Sequence, residues 1–166
     1  MKLKSTIAVL ASMAFAAAAD TPAQAKAAIE KQMGGYVAAL KARDVKKVEA
    51  IIRANFAPDF KDIGMDGQAR NLDDTVAQMK MNVSMLKSVK SASLAINSVK
   101  VAGDKATTVE AFKLDAVIAI PNDPKPHTLK VDSIWTGSYA KKNGRWWCLS
   151  SKTTKESVLV DGKKGQ

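Results

Sequence analysis

Cysteine, histidine and aromatic residues are scarce in this chain, and each scarcity excludes something. The 166 residues include one cysteine, Cys148, and one histidine, His127. A single thiol makes no internal disulfide, so Cys148 is expected to be buried and inert, with an intermolecular bridge as the alternative. One cysteine and one histidine also leave no Cys/His zinc site, and no metal or cofactor is expected. Aromatic residues are 5% of the chain, and the basic residues are scattered rather than interleaved with them. A nucleic-acid groove needs both together, so no nucleic-acid partner is expected. The chain carries no Gly-x-Ser-x-Gly elbow, phosphate loop, dinucleotide fingerprint or paired-histidine motif. Ser84-x-x-Lys87 and Ser138-x-x-Lys141 match a serine–lysine pattern but lack the elements that accompany it in penicillin-binding enzymes.

Long apolar runs are also missing, with one short exception. Lys2 and Lys4 precede an apolar run from Ile7 to Ala19, followed by Asp20-Thr-Pro-Ala-Gln-Ala25. That run is well short of the roughly 20 residues needed to span a bilayer. Basic start, apolar centre and Ala-x-Ala ending are the form of a secretory signal. Cleavage is expected after Ala25, with Ala19 as the other qualifying site. The protein is therefore expected to be exported, periplasmic or secreted, and free of the membrane once residues 1–25 are removed. The net charge is +10, and from Lys141 onward seven Lys/Arg face only Glu156 and Asp161. Such a surface is either solvated charge or a basic patch for an acidic partner or polyanion.

What is present reads as one domain over residues 26–160, with 161–166 as a disordered tail. Ile29, Met33, Tyr36, Val37 and Leu40 recur at helical spacing across Ala27–Arg43, although Gly34-Gly35 weakens the middle. Asp44 reads as the N-cap of a second helix through Val48, Ile51 and Ile52, which Pro58 cannot continue. A short hairpin follows from Phe60 through the turn Asp66-Gly67 to Arg70. Asn71 with Asp74 then opens a third helix along Leu72, Val76, Met79, Val83 and Leu86. From Ser91 the period shortens to that of strands, interrupted by Gly103-Asp104, a possible break near Asp115 and the loop Pro121–Pro126. The stretch from Val131 to Trp147 closes the pattern as a hairpin on Asn143-Gly144, the preferred pair for a type I′ turn. Helices first and an antiparallel meander after them predict an α+β fold, a cone-shaped barrel of three helices packed on a curved antiparallel sheet.

That order resembles the nuclear-transport-factor-2-like superfamily, also called SnoaL-like. The residues that carry the resemblance are Tyr36-Val-Ala-Ala-Leu40 with Asp44, Phe56-Ala-x-Asp59, the Asp66-Gly67 turn, and Tyr139 with Gly144-Arg-Trp146. It implies a pocket between helices and sheet, and functions that range from isomerases, dehydratases and cyclases to non-enzymatic ligand binding. It also implies a homodimer paired through the sheets. The first helix is most similar to that of ketosteroid isomerases, where the tyrosine matching Tyr36 donates to an oxyanion beside a protonated aspartic acid. The base position falls on Gly64, with Asp62 two residues earlier on the same strand face, about 6–7 Å away. The second acid is expected near Thr136 or Ser138, with Asp132 on their strand face.

The resulting candidates are Tyr36, Asp62 and Asp132 for catalysis, with Phe60, His127, Ile134 and Trp146 lining the pocket. Each has a plainer alternative. Tyr36 would bond a strand carbonyl, Asp62 and Asp132 would be solvated, and His127 would be exposed rather than a base at the pocket mouth. Trp146 and Trp147 must point to opposite faces, so one of them faces the cavity. Trp135, on the face opposite Asp132, is expected to pack the outer sheet or a dimer partner. The expected function is binding of a small, partly apolar ligand, with cofactor-free proton transfer as the alternative.

Overall fold

The computed structural model describes residues 19–164, and most of the expected export signal lies outside them. The first expected helix is two helices. Helix α1 covers Pro22–Met33 and α2 covers Tyr36–Ala42. Gly34 turns to an extended ψ of 123° and Gly35 takes φ 103°, a conformation that penalises any residue with a Cβ. The paired glycines therefore mark a corner rather than a weak helix middle. α1 begins four residues before the expected domain start. Thr21 and Gln24 form a capping box there, with Pro22 in the first turn.

The other helices start where their caps predict. Asp44 accepts from the Lys47 amide to open α3, Val45–Asn55, and Asn71 accepts from the Asp74 amide to open α4, Leu72–Met85. Asp73 and Asp74 lie in the first turn of α4, where the helix dipole favours acidic side chains.

The strands are β1 (Phe56–Ile63), β2 (Ala69–Asn71), β3 (Leu86–Ala102), β4 (Lys105–Ala119), β5 (Pro126–Lys142), β6 (Arg145–Val160) and β7 (Lys163–Lys164). They form one sheet in the order β2-β1-β6-β5-β4-β3, with β7 beside the end of β6. All neighbours are antiparallel except β1 and β6, so the curved sheet is mixed rather than wholly antiparallel. β4 runs through Asp115 without a break, paired continuously with β5 from Lys105 to Ala119. Asn143 and Gly144 both adopt positive φ, 52° and 75°, as a type I′ turn requires. Asp161, expected in a disordered tail, accepts from the Thr128 amide at 2.8 Å and precedes the short β7.

Two buried clusters lie on the inner face of this sheet. Under α1, Ile29, Phe60, Trp146 and Cys148 pack into a closed cluster. Gln32 clasps the Trp146 backbone there, donating to its carbonyl at 2.7 Å and accepting from its amide at 3.3 Å. Under α2, α3 and α4 a second cluster, including Leu40, Val48, Val83 and Ile118, surrounds a space it does not fill. No helix among the described residues is long and apolar enough to cross a membrane.

Candidate functional site

Strand alternation decides which side chains reach that space. On β4 the even-numbered residues from Ala106 to Ile118 face inward, and on β5 the odd-numbered residues from Leu129 to Tyr139 do. The cavity measures about 540 Å³, within the range of small-molecule sites. Tyr36, Met79 and Val83 wall it from the helices, and Phe112, Leu114 and Trp135 from the sheet.

At its floor lies a carboxylate that the sequence reading did not single out. Glu110 is 4% exposed. One of its oxygens, Oε1, accepts from the Thr108 hydroxyl at 2.6 Å and the Tyr139 hydroxyl at 2.8 Å. No lysine, arginine or histidine among the described residues forms a salt bridge with it. Burial, with the Cys148 and Glu110 side chains beside it, pushes the Tyr139 phenol well above its usual pKa, which keeps it a hydrogen-bond donor. Burial likewise pushes the Cys148 thiol up, leaving it protonated and unreactive as expected.

Gly137 makes this convergence possible. A methyl group there would lie 2.6 Å from Thr108 Oγ1, 2.7 Å from Tyr139 Cε2 and 2.8 Å from Glu110 Oε1. The position thus has no room for a Cβ. An acid was expected near Thr136 or Ser138. The residue between them is this glycine, and a carboxylate from the neighbouring strand reaches over it.

Asp62 also reaches the cavity, as expected of its strand face, but it is already engaged. Arg70 donates to Oδ2 from Nη2 at 2.8 Å and from Nε at 3.2 Å, and Ser151 donates to Oδ1 at 2.7 Å. Both Asp62 oxygens are therefore occupied. Tyr36 lines the cavity with its hydroxyl on the Met79 sulfur at 3.2 Å, not on a strand carbonyl. Burial raises its pKa, so it remains a neutral phenol whose present acceptor is weak. Phe60 lines the cavity as expected.

Five other expectations are corrected, three of them by the faces of the sheet. Asp132 and Ile134 are even-numbered on β5 and point outward, Asp132 toward Lys113 at 3.7 Å. Trp135, odd-numbered, lines the cavity instead of packing the outer face. Trp146 does face inward, but it is fully buried in the closed cluster under α1, with Asp20 accepting from its indole nitrogen at 3.0 Å. His127 lies past the end of the cavity, its ring held by Asp161 at 2.7 Å and Asp123 at 3.0 Å. Among the described residues, no three His, Cys, Asp or Glu side chains converge to hold a metal ion.

Neither a family model nor a curated protein matches the sequence. Solved structures do. The hexachlorocyclohexane dehydrochlorinase LinA type 2 aligns with a TM-score of 0.57 at 12% identity, over 80% of this chain and 87% of that one. A nuclear-transport-factor-2-like protein of unknown function from Shewanella oneidensis MR-1 aligns at 0.53 and 18% identity, over 76% and 96%. Another, from Shewanella baltica OS155, aligns at 0.53 and 16%, over 85% and 97%. The chain has the nuclear-transport-factor-2-like fold. Identities this low speak for architecture alone. In that architecture the cavity is the interior of the cone, and this chain's own residues give it its chemistry.

Proposed function

We propose that the protein binds a small, partly apolar molecule inside the cone, with Glu110 as its main polar anchor. The observation that carries this reading is the pairing of an apolar chamber with one buried, fixed carboxylate. Thr108 and Tyr139 occupy one carboxylate oxygen and leave the other to accept from a ligand. Apolar walls supply affinity through burial, and a fixed acceptor supplies orientation. Native mass spectrometry of protein recovered without refolding, combined with Trp135 fluorescence during ligand titration, tests it. A bound mass that exchanges with added ligand and changes the Trp135 signal supports the reading; ligands that bind without altering that signal refute it.

A second reading has its own observation. Glu110 and Tyr36 approach the cavity from opposite walls, one an acceptor without a cation and the other a neutral phenol with only a sulfur for a partner. Such a pair suits cofactor-free proton transfer, with Glu110 taking a proton and Tyr36 donating to the oxyanion that develops. A hexachlorocyclohexane dehydrochlorinase shares the fold, and loss of HCl from any substrate includes loss of a proton, which supports the reading. Replacing Tyr36 with Phe separates the two. Under catalysis, turnover falls on the order of 10²-fold while ligand affinity is nearly kept. Equal loss of both quantities leaves binding alone.

A further inference from the structure

We infer that the molecule filling the cavity is an organic cation, an amine or quaternary ammonium group on an apolar body. This rests on the binding reading above and adds the ligand's charge to it. The chain as a whole carries a net charge of +10, yet the acidic and basic residues lining the cavity are Asp62, Glu110 and Glu156 against Arg70 alone. Arg70 is consumed by Asp62, so that corner is neutral in itself. Glu110 has only hydroxyl partners, and Glu156 has only the Ser133 hydroxyl at 3.3 Å. The interior therefore has one buried carboxylate with no cation, Glu110, and the exposed Glu156 adds a second in the lining, in a protein with an excess of cations overall.

The placement of Glu110 suits one positive group. Glu110 is the register partner of Trp135 from β4, and Glu156 is the partner of Ser133 from β6. Ser133 and Trp135 are two residues apart on the same face of β5, so the two glutamates lie on the strands either side of it, about 12 Å apart by strand spacing and rise. Glu110 turns its carboxylate toward Gly137 and Glu156 lies beside Ser133, so a buried ammonium group meets Glu110, and Glu156 adds negative charge at longer range. A cation beside Glu110 gains from its free carboxylate oxygen and from the aromatic lining. A neutral ligand would leave that buried carboxylate without a counter-charge, and an anion would be repelled.

The test uses three probes with one body: 2-naphthylethylamine, the matching alcohol and the matching carboxylate, titrated by calorimetry into the full-length protein near neutral pH. The amine is expected to bind at least 10-fold more tightly than the alcohol, with the carboxylate weakest. Glu110→Gln should remove most of that preference, and Glu156→Gln a smaller part. Equal binding of amine and alcohol by the unsubstituted protein overturns the charge assignment and leaves the binding reading standing. Failure of all three to bind overturns both. Because the decisive comparison is made on the unsubstituted protein, a variant that folds poorly does not obscure it.

Independently, contacts at the chain's start point to the Ala19–Asp20 peptide bond as the processing site of the exported protein, given the export signal read from the sequence. Hydrolysis after Ala25 would discard Asp20, whose carboxylate accepts from Trp146 Nε1 at 3.0 Å and from Lys141 Nζ at 2.7 Å. It would also discard the capping box and Ala25, which is 0% exposed, and leave Lys26 at the frayed start of α1. Hydrolysis after Ala19 keeps every one of these contacts and still satisfies the small-residue pattern through Ala17-Ala18-Ala19. Water adds hydroxyl to the Ala19 carbonyl carbon, and the Asp20 nitrogen leaves as the new amino terminus. Intact mass and N-terminal sequencing of the protein from the export compartment decide it. A chain starting at Asp20 supports the assignment. One starting at Lys26, or retaining Met1, overturns it.

Discussion

The two halves of the inner sheet face are built from similar materials and end differently. Under α1 the space is filled. Trp146, Phe60 and Ile29 are each nearly inaccessible, and Gln32 and Asp20 satisfy the polar atoms of the tryptophan. Under α2 and α4 the same sheet faces a chamber, and a charged side chain lies at its floor. A close-packed interior gains stability from every contact, whereas an unfilled one forgoes dispersion contacts and burdens the fold with a buried carboxylate. The difference teaches a division of labour. The closed half holds the cone's shape, and the open half is held for a ligand at a cost in stability.

Truncating the closed half should do the most damage. Trp146→Ala removes the largest fully buried side chain and strands the Asp20 carboxylate beside Lys141. A loss of about 3–5 kcal/mol is expected, as for other buried aromatics cut to alanine. Urea unfolding followed by far-UV circular dichroism measures it. A loss below about 1 kcal/mol would mean that the closed cluster is not what holds the cone.

Gly137→Ala probes the boundary between shape and site. The added methyl must displace Thr108, Tyr139 or Glu110, three groups already within 3 Å of its position. Overpacking of this kind costs about 1–3 kcal/mol. Binding should suffer out of proportion, because the carboxylate loses the two hydroxyls that aim it. Affinity loss in step with stability, with no excess, would show that Glu110 is not the anchor.

Much of this architecture could be read in the residues because it is set locally. Asp44 and Asn71 cap helices wherever they precede an apolar periodic run, and Asn143-Gly144 forces its hairpin through two positive φ angles. The outer and inner faces of β6 were not legible in the same way. Leu149 and Thr154 are extra residues opposite the Ser138/Tyr139 and Ile134/Trp135 steps of β5, and each such bulge flips the strand's parity. Trp146 and Cys148 therefore share a face with Ser151 and Thr153, then with Glu156 and Val158, which plain alternation denies. Glu110 is a different case. Ala106, Thr108, Glu110, Phe112 and Leu114 alternate without interruption, so the acid's inward position was available from parity alone. The resemblance to ketosteroid isomerases drew attention to Asp62 and Asp132 instead, one neutralised by Arg70 and the other on the outer face.

The smallest expected effect lies beyond the open end of the chamber, where His127 ties β5 to the turn before β7. Its ring bridges Asp161 and Asp123, with Asp161 the stronger influence in raising its pKa above the ordinary 6.5. Asp161 is lowered in turn, chiefly by His127, and Asp123 chiefly by the Lys125 amide. A raised histidine favours folding fully below about pH 6.5 and loses that contribution as pH rises through its folded value. Lowered aspartates contribute above about pH 4 and lose it as pH falls through theirs. The clasp is therefore strongest between about pH 4 and 6.5. In melting curves across pH, the difference between the unsubstituted protein and His127→Gln should peak in that window and shrink toward pH 8. The peak should be modest, since the aspartates are largely solvated and such pairs contribute little. A difference that stays flat with pH would mean that His127 serves by packing alone, and that the open end of the cone has no charge-dependent fastening.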